Sequence, residues 1–233
     1  MEKIYEANKN VILVLNNGRP LVLNWASENI PAIVEAWHLG TQTGNAVAQV
    51  LYGDYNPSGK LPMTFPRSVG QIPIYYNHKN TGRPVDPQPG DNMVFRSHYI
   101  DEESSPLYPF GFGLSYTSFN YSNLKVENSF AVNQEVKVSV ELSNTGDYDG
   151  KEVVQLYIRD LFAKVVRPVR ELKGFQLVEL KKGESKTVNF SLTEKELGYY
   201  DQNGDFIVEP GDFEIFVGTN SNASLKTNFS LQQ

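Results

Sequence analysis

The side chains in this 233-residue sequence that could move a proton or hold a metal are few and scattered. Glu35 stands near Trp37 and His38, where partial burial would raise a carboxyl pKa towards the range of a general acid. The competing reading is a carboxylate on the water-facing side of a helix. Asp101, Glu102 and Glu103 are consecutive acids in a loop. Neighbours in sequence rarely converge as an acid/base pair, and a solvated acidic turn is the reading they favour. His38, His78 and His98 lack the spacing of a metal site, and no cysteine is present to join them. Gly111-Phe112-Gly113 lacks the third glycine of a dinucleotide fingerprint and follows an aromatic, proline-bearing run. One loop does suit a pyranose ring, because Tyr75, Tyr76, Asn77, His78, Asn80 and Arg83 offer aromatic faces and planar amides. Tyr76, His78 and Arg83 are its candidate substrate-binding residues, set against a loop that merely wraps a neighbouring surface. No catalytic residue, metal ligand or cofactor is assigned.

Bulk properties narrow the surroundings of any such site. A net charge of −6 argues against a nucleic-acid or anionic-membrane partner. No run approaches the ~20 apolar residues of a membrane span. The absence of cysteine removes disulfides and thiolate chemistry together. The first ten residues, MEKIYEANKN, are too polar for a signal peptide, so the localisation is open. Asn-x-Ser sequons begin at Asn120, Asn189, Asn222 and Asn228, and matter only in a glycosylating secretory pathway.

The elements that must position these residues fall into two regimes. Residues 11–15 (VILVL) form a continuous apolar run, as expected of a strand covered on both faces. Asn17-Gly18 turns the chain and a second short apolar run follows at Leu21 to Leu23. Pro31 suits the first turn of a helix through Ala36, with Ser27 or Asn29 as caps. A further helix over 45–52 should end at Gly53. Residues 67–105, rich in Pro, Gly and Asn, read as a long functional or wrapping loop. Residues 106–119 (PLYPFGFGLSYTSF) read as an ordered linker. Beyond residue 119 the period becomes two, with Val136, Val138, Val140 and Leu142, then Val154, Leu156 and Ile158, then Val188, Phe190 and Leu192, then Phe213, Ile215 and Val217. Six or seven such strands with no cysteine pair predict a fibronectin type III-like sandwich, in which Tyr199 is either a tyrosine corner or an ordinary core residue.

Three ordered blocks carry a resemblance: Asn16-Asn17-Gly18-Arg19-Pro20, the run LYGDYNPSGKLPMTFP over 51–66, and Tyr108-Pro109-Phe110-Gly111-Phe112-Gly113-Leu114-Ser115-Tyr116. Ser68-Val69-Gly70-Gln71-Ile72-Pro73 extends the match, as do KEVVQLY over 151–157 and RELKGF over 170–175. Together they resemble the carboxy-terminal half of glycoside hydrolase family 3, and of its β-glucosidases. The resemblance implies a partial α/β sandwich, half of a mostly parallel sheet with helices, over 1–105. A linker over 106–119 and a fibronectin type III-like domain over 120–233 would follow. In the family the Asp nucleophile lies in an amino-terminal barrel and the acid/base Glu in the first half of the sandwich domain. Both are expected upstream of Met1, and neither role has a matching position here. The expected partners are therefore the barrel and the first half of the sandwich domain, in cis or in trans. The expected role is a non-catalytic support for a β-glucosidase. The alternatives are an enzyme reconstituted from two chains and a carbohydrate-binding or adhesion module built on the β-sandwich.

Overall fold

The computed structural model describes residues 1–84, 93–127 and 129–233, so residues 85–92 of the long loop lie outside the described part. Helix α1 (Glu2–Ala7) leads into strand β1 (Ile12–Leu15), and helix α2 (Asn24–Asn29) into strand β2 (Ala32–Glu35). A 3-10 turn (Gly40–Gln42) opens helix α3 (Thr43–Tyr52), which ends at Gly53 in the left-handed region (φ 80°), as the sequence requires. Two more 3-10 turns follow, Val69–Gln71 and Met93–Phe95. The remaining elements are β3 (Phe119–Val126), β4 (Ser129–Ala131), β5 (Val136–Asn144), β6 (Gly150–Asp160), β7 (Glu171–Leu180), β8 (Ser185–Leu192), the short helix α4 (Glu194–Leu197), β9 (Tyr199–Tyr200), β10 (Phe206–Ile207), β11 (Gly211–Gly218) and β12 (Leu225–Gln232).

The helix expected over 31–36 is a strand instead. Proline disfavours the helical region for the residue before it. Ile30 accordingly turns extended (ψ 123°) and closes α2 at Asn29. Released from that helix, Ala32-Ile33-Val34-Glu35 pairs parallel to β1, with Ile12 beside Ala32 and Leu15 beside Glu35. The apolar run was too short for periodicity to separate helix from strand, and Ile33-Val34 favours the strand. Only one face of this two-stranded sheet is covered. Leu15, Leu23, Ala26, Ile30 and Phe65 form a small core, with Trp25, Ile33, Trp37 and Tyr108 packed around it. Ile12 stays 52% exposed, against the expectation of two covered faces.

The larger part is a sandwich of two sheets. One has the order β4-β12-β11-β6-β7 and the other β3-β5-β8. Alternation dictates the packing. Val136, Val138, Val140 and Leu142 of β5 face Val154, Leu156 and Ile158 of β6 and Phe213, Ile215 and Val217 of β11, all buried. Each such side chain contributes about 1.5–3 kcal/mol by leaving water, so this part dominates the stability of the molecule.

Candidate functional site: the seam between the two parts

Residues of the 51–66 and 108–116 blocks converge where the α/β part meets the sandwich. Residues 61–65 run beside 107–112 through backbone bonds, from Leu61 N–H to Phe112 O (2.8 Å), from Gly111 N–H to Leu61 O (2.8 Å) and from Phe65 N–H to Tyr108 O (2.9 Å). That ribbon carries Lys60 into the sandwich. Its ammonium, almost fully buried, pairs with Glu152 of β6 (3.0 Å) and donates to Gly113 O (3.0 Å) and Thr219 Oγ1 (2.7 Å). The second Glu152 oxygen accepts from the Tyr121 hydroxyl (2.8 Å), and burial, then the Glu152 charge, pushes the Tyr121 phenol well up. The pair is thus hydrogen-bonded on both sides, the condition under which a buried ion pair is tolerated.

Two amides complete the seam. Asn56 Oδ1 accepts from the Ser115 hydroxyl and the Tyr116 N–H (2.8 Å each), and its amide donates to Asp149 O (3.0 Å). Gln155 donates to Gly111 O (3.1 Å) and Thr219 O (2.6 Å) and accepts from the Tyr157 hydroxyl (2.5 Å). Gly111 sits at φ 80°, and a Cβ there would overlap the Gln155 carboxamide. Glycine is the residue that permits this approach. Gln71 closes the long loop in the same manner. Almost fully buried, it accepts from Arg67 N–H (2.6 Å) and donates to Glu103 O (2.7 Å), while Arg67 pairs with Glu103 (2.8 Å).

The sugar-loop candidates do not form one cluster of contacts. Tyr76 stacks on Phe110 (4.3 Å between ring centres), meets Tyr157 edge-on and accepts from Leu172 N–H (3.3 Å). Burial raises its phenol pKa. His78 is exposed, its carbonyl accepting from Val169 N–H (2.9 Å). Arg83, also exposed, lies 5.6 Å over the Phe95 ring. The loop is therefore fastened to the sandwich through Tyr76 and His78, with Arg83 outward.

The remaining chemical candidates resolve into structural contacts. Glu35 ends strand β2 rather than riding a helix, and one of its oxygens accepts from Trp37 N–H (3.0 Å). His38 bonds Asn16 Oδ1 through Nδ1 (3.1 Å). Glu102 accepts from Glu103 N–H (3.0 Å) at the base of the loop. His98 bonds the Arg96 carbonyl (2.9 Å). Among the described residues no group of three or more His, Asp or Glu side chains could hold a metal ion. Two shallow clefts, of about 360 and 450 Å³, lie between β5 and β8 and beside α1, away from the seam.

Carboxylates with divergent pKa values do occur at one end of the sandwich. Burial raises Asp160 to about 6, with Arg167 opposing. Hydrogen bonds from Lys164 and then Tyr199 hold Glu209 down to about 2. Divergent values can mark an acid/base pair. Here Arg167 lies 3.8 Å from Asp160, 2.6 Å from Glu171 and 4.6 Å over the Tyr199 ring. With Asp160 and Tyr199 both buried, the arrangement is a cap on the core. Tyr199 bonds Glu209 and accepts from Lys164 N–H (3.2 Å), far upstream, so it is not a tyrosine corner.

Residues 1–116 match the glycosyl hydrolase family 3 C-terminal domain and residues 152–221 a fibronectin type III-like domain. With an α/β part joined to a β-sandwich by this seam, the chain belongs to glycoside hydrolase family 3 and corresponds to its carboxy-terminal portion. It is 47% identical over 224 residues to a periplasmic beta-glucosidase of Salmonella typhimurium, covering 96% of this chain and 29% of that protein. It is 48% identical over 229 residues to a beta-xylosidase of Formosa agariphila, covering 97% and 30%. The crystal structure of a beta-glucosidase from Listeria innocua in complex with glucose superposes with a TM-score of 0.94 at 39% identity, over 100% of this chain and 32% of that one. The chain thus spans about 30% of the length of the curated relatives it matches.

Proposed function

We propose that the chain is the supporting carboxy-terminal portion of a retaining β-glucosidase that releases terminal β-D-glucosyl residues. Such hydrolysis needs two carboxylates about 5–5.5 Å apart, one nucleophilic and one acid/base. In this reading both come from upstream segments, the nucleophile from the barrel and the acid/base from the first half of the α/β domain. The present residues hold that domain rigid, because a misplacement of ~1 Å at a reacting centre costs on the order of a hundredfold in rate. The observation that supports this reading is the buried Lys60–Glu152 pair bridging the two parts. A rigid support should unfold as one unit. Calorimetry of this chain should give a single transition that Lys60→Met splits in two, and two separate transitions in the unsubstituted chain would overturn the supporting role.

The beta-xylosidase relative makes a xyloside the second substrate to try. For sugar contact we propose the exposed His78 and Arg83, with Tyr76 serving as the anchor that presents them. Titration with glucose or cellobiose should shift the NMR resonances of residues 78–83, and unchanged resonances at millimolar sugar would remove this assignment. The same titration addresses the binding-module alternative, which predicts a response from the isolated chain.

A further inference from the structure

An asparagine followed by glycine can cyclise onto its own backbone, because no Cβ at the second residue obstructs the ring. The sequence contains two such pairs, Asn17-Gly18 and Asn203-Gly204. Their surroundings differ. Asn203 is exposed at the tip of the β9–β10 hairpin. Gly204 beside it sits at φ 87°, and nothing lies within 4 Å of the place a Cβ would take. The Asn203 amide makes one long contact, 3.4 Å to Asp201 Oδ2. Asn17 instead donates its amide to Arg19 O (2.6 Å). Its Oδ1 is buried with no hydrogen-bond partner, and His38 Nε2 stands 3.0 Å from the position of a Gly18 Cβ.

We infer that Asn203 is a site of spontaneous deamidation in the folded chain, and that the fold protects Asn17 from the same reaction. Hydroxide removes the proton of the Gly204 nitrogen, which attacks the Asn203 side-chain carbonyl carbon. A C–N bond forms, and ammonia leaves with the amide nitrogen, taking a proton from water and returning the hydroxide. The succinimide ring so formed is opened by water at either carbonyl. One opening gives aspartate, and the other gives isoaspartate, with the backbone rerouted through the former side chain.

Solvation of the developing charge separates the two sites. Attack puts negative charge on the side-chain oxygen, which water can stabilise at the exposed Asn203. At Asn17 that oxygen is buried without a donor, and charge there would go unsolvated. The Gly204 N–H donates to Asp201 O (3.1 Å), and this one bond, at an exposed tip, must open locally first. The product disturbs its surroundings. Asp201 Oδ1 holds the tip together by accepting from the N–H groups of Asn203 (2.8 Å) and Asp205 (3.1 Å). Conversion sets a third carboxylate beside Asp201 and Asp205, where like charges repel. No residue of the seam or of the sugar loop takes part, so the inference is independent of the glycosidase reading.

Incubation of the purified chain in mildly alkaline buffer tests it, with fragment mass spectrometry locating each conversion and isoaspartyl methyltransferase labelling the isoaspartate. In the folded chain Asn203 should convert at least about tenfold faster than Asn17, the cost of leaving one buried acceptor charged and unpaired. In concentrated urea, where both pairs are solvated, the two rates should converge. Asn203→Gln, whose longer side chain disfavours the ring, should remove most of the label from the folded chain. A folded chain in which Asn17 converts as fast as Asn203 would overturn the inference. So would an Asn203 that converts in urea and stays intact when folded, or labelling that Asn203→Gln leaves unchanged.

Discussion

Lys60 is a cation with almost no access to water, and its neighbours decide what removing it does. Lys60→Met would leave Glu152 buried with the Tyr121 hydroxyl as its remaining side-chain partner. Breaking a buried pair from one side costs about 3–5 kcal/mol, and urea unfolding should show a loss of that order. Two acids at the end of the sandwich set the response to pH. Asp160, raised to about 6 chiefly by burial, binds its proton more tightly folded than unfolded. Its stabilising contribution is complete below the ordinary carboxyl pKa of about 4 and is lost as pH rises through 6. Glu209, held to about 2 chiefly by Lys164, acts oppositely, its contribution present above about pH 4 and lost as pH falls through 2. The melting temperature should therefore decline between pH 4 and 6, and Asp160→Asn should flatten that interval. A wild-type profile that rises over the same interval would contradict the assignment. Little of this was legible in the sequence. A lysine or glutamine in a turn reads as solvated, and Lys60 and Gln71 become buried only because distant segments supply their partners. The signal available was the block around each, Asn56 to Lys60 and Ser68 to Gln71, which carried the resemblance but not its mechanical meaning.

Among the elements, those whose facing is set locally were readable and those set by distant packing were not. The alternation of β5, β6, β8 and β11 gave the sandwich its core, because period-two patterning needs only one buried face. Strand β2 was misread because four apolar residues suit either element, and its pairing with β1 decided the matter. The two-residue hairpin of β9 and β10 has too few residues for any period. A two-stranded sheet is marginal in water, so amides of β1 and β2 should exchange with deuterium well before those of β5, β6 and β11. Equal protection in both parts would refute this ordering. Limited proteolysis bears on the same division. The composition alone suggests a resistant piece starting near residue 115. The bonds of Asn56, Lys60 and Tyr76 to the sandwich instead predict that the first stable product begins between Gly53 and Asn56.

Over the whole molecule, several of the residues that carry the resemblance lie where its two parts are fastened together. Asn56, Lys60, Gly111, Glu152 and Gln155 bond one another, one another's backbones, or segments across the seam. They tie the α/β part to the sandwich in a portion spanning about 30% of its curated relatives. Exposed apolar side chains on the α/β part, including Ile12, Val22, Leu51 and Tyr52, mark the surface that further protein would cover. Addition of an upstream portion from a relative should therefore slow deuterium exchange in β1 and β2 before it does so in the sandwich strands.

The most direct test of the central claim is the rate at which the purified chain alone hydrolyses p-nitrophenyl β-glucoside. The account predicts a rate equal to the buffer blank. Turnover above the blank that disappears when a single Asp or Glu of this chain is replaced would contradict it.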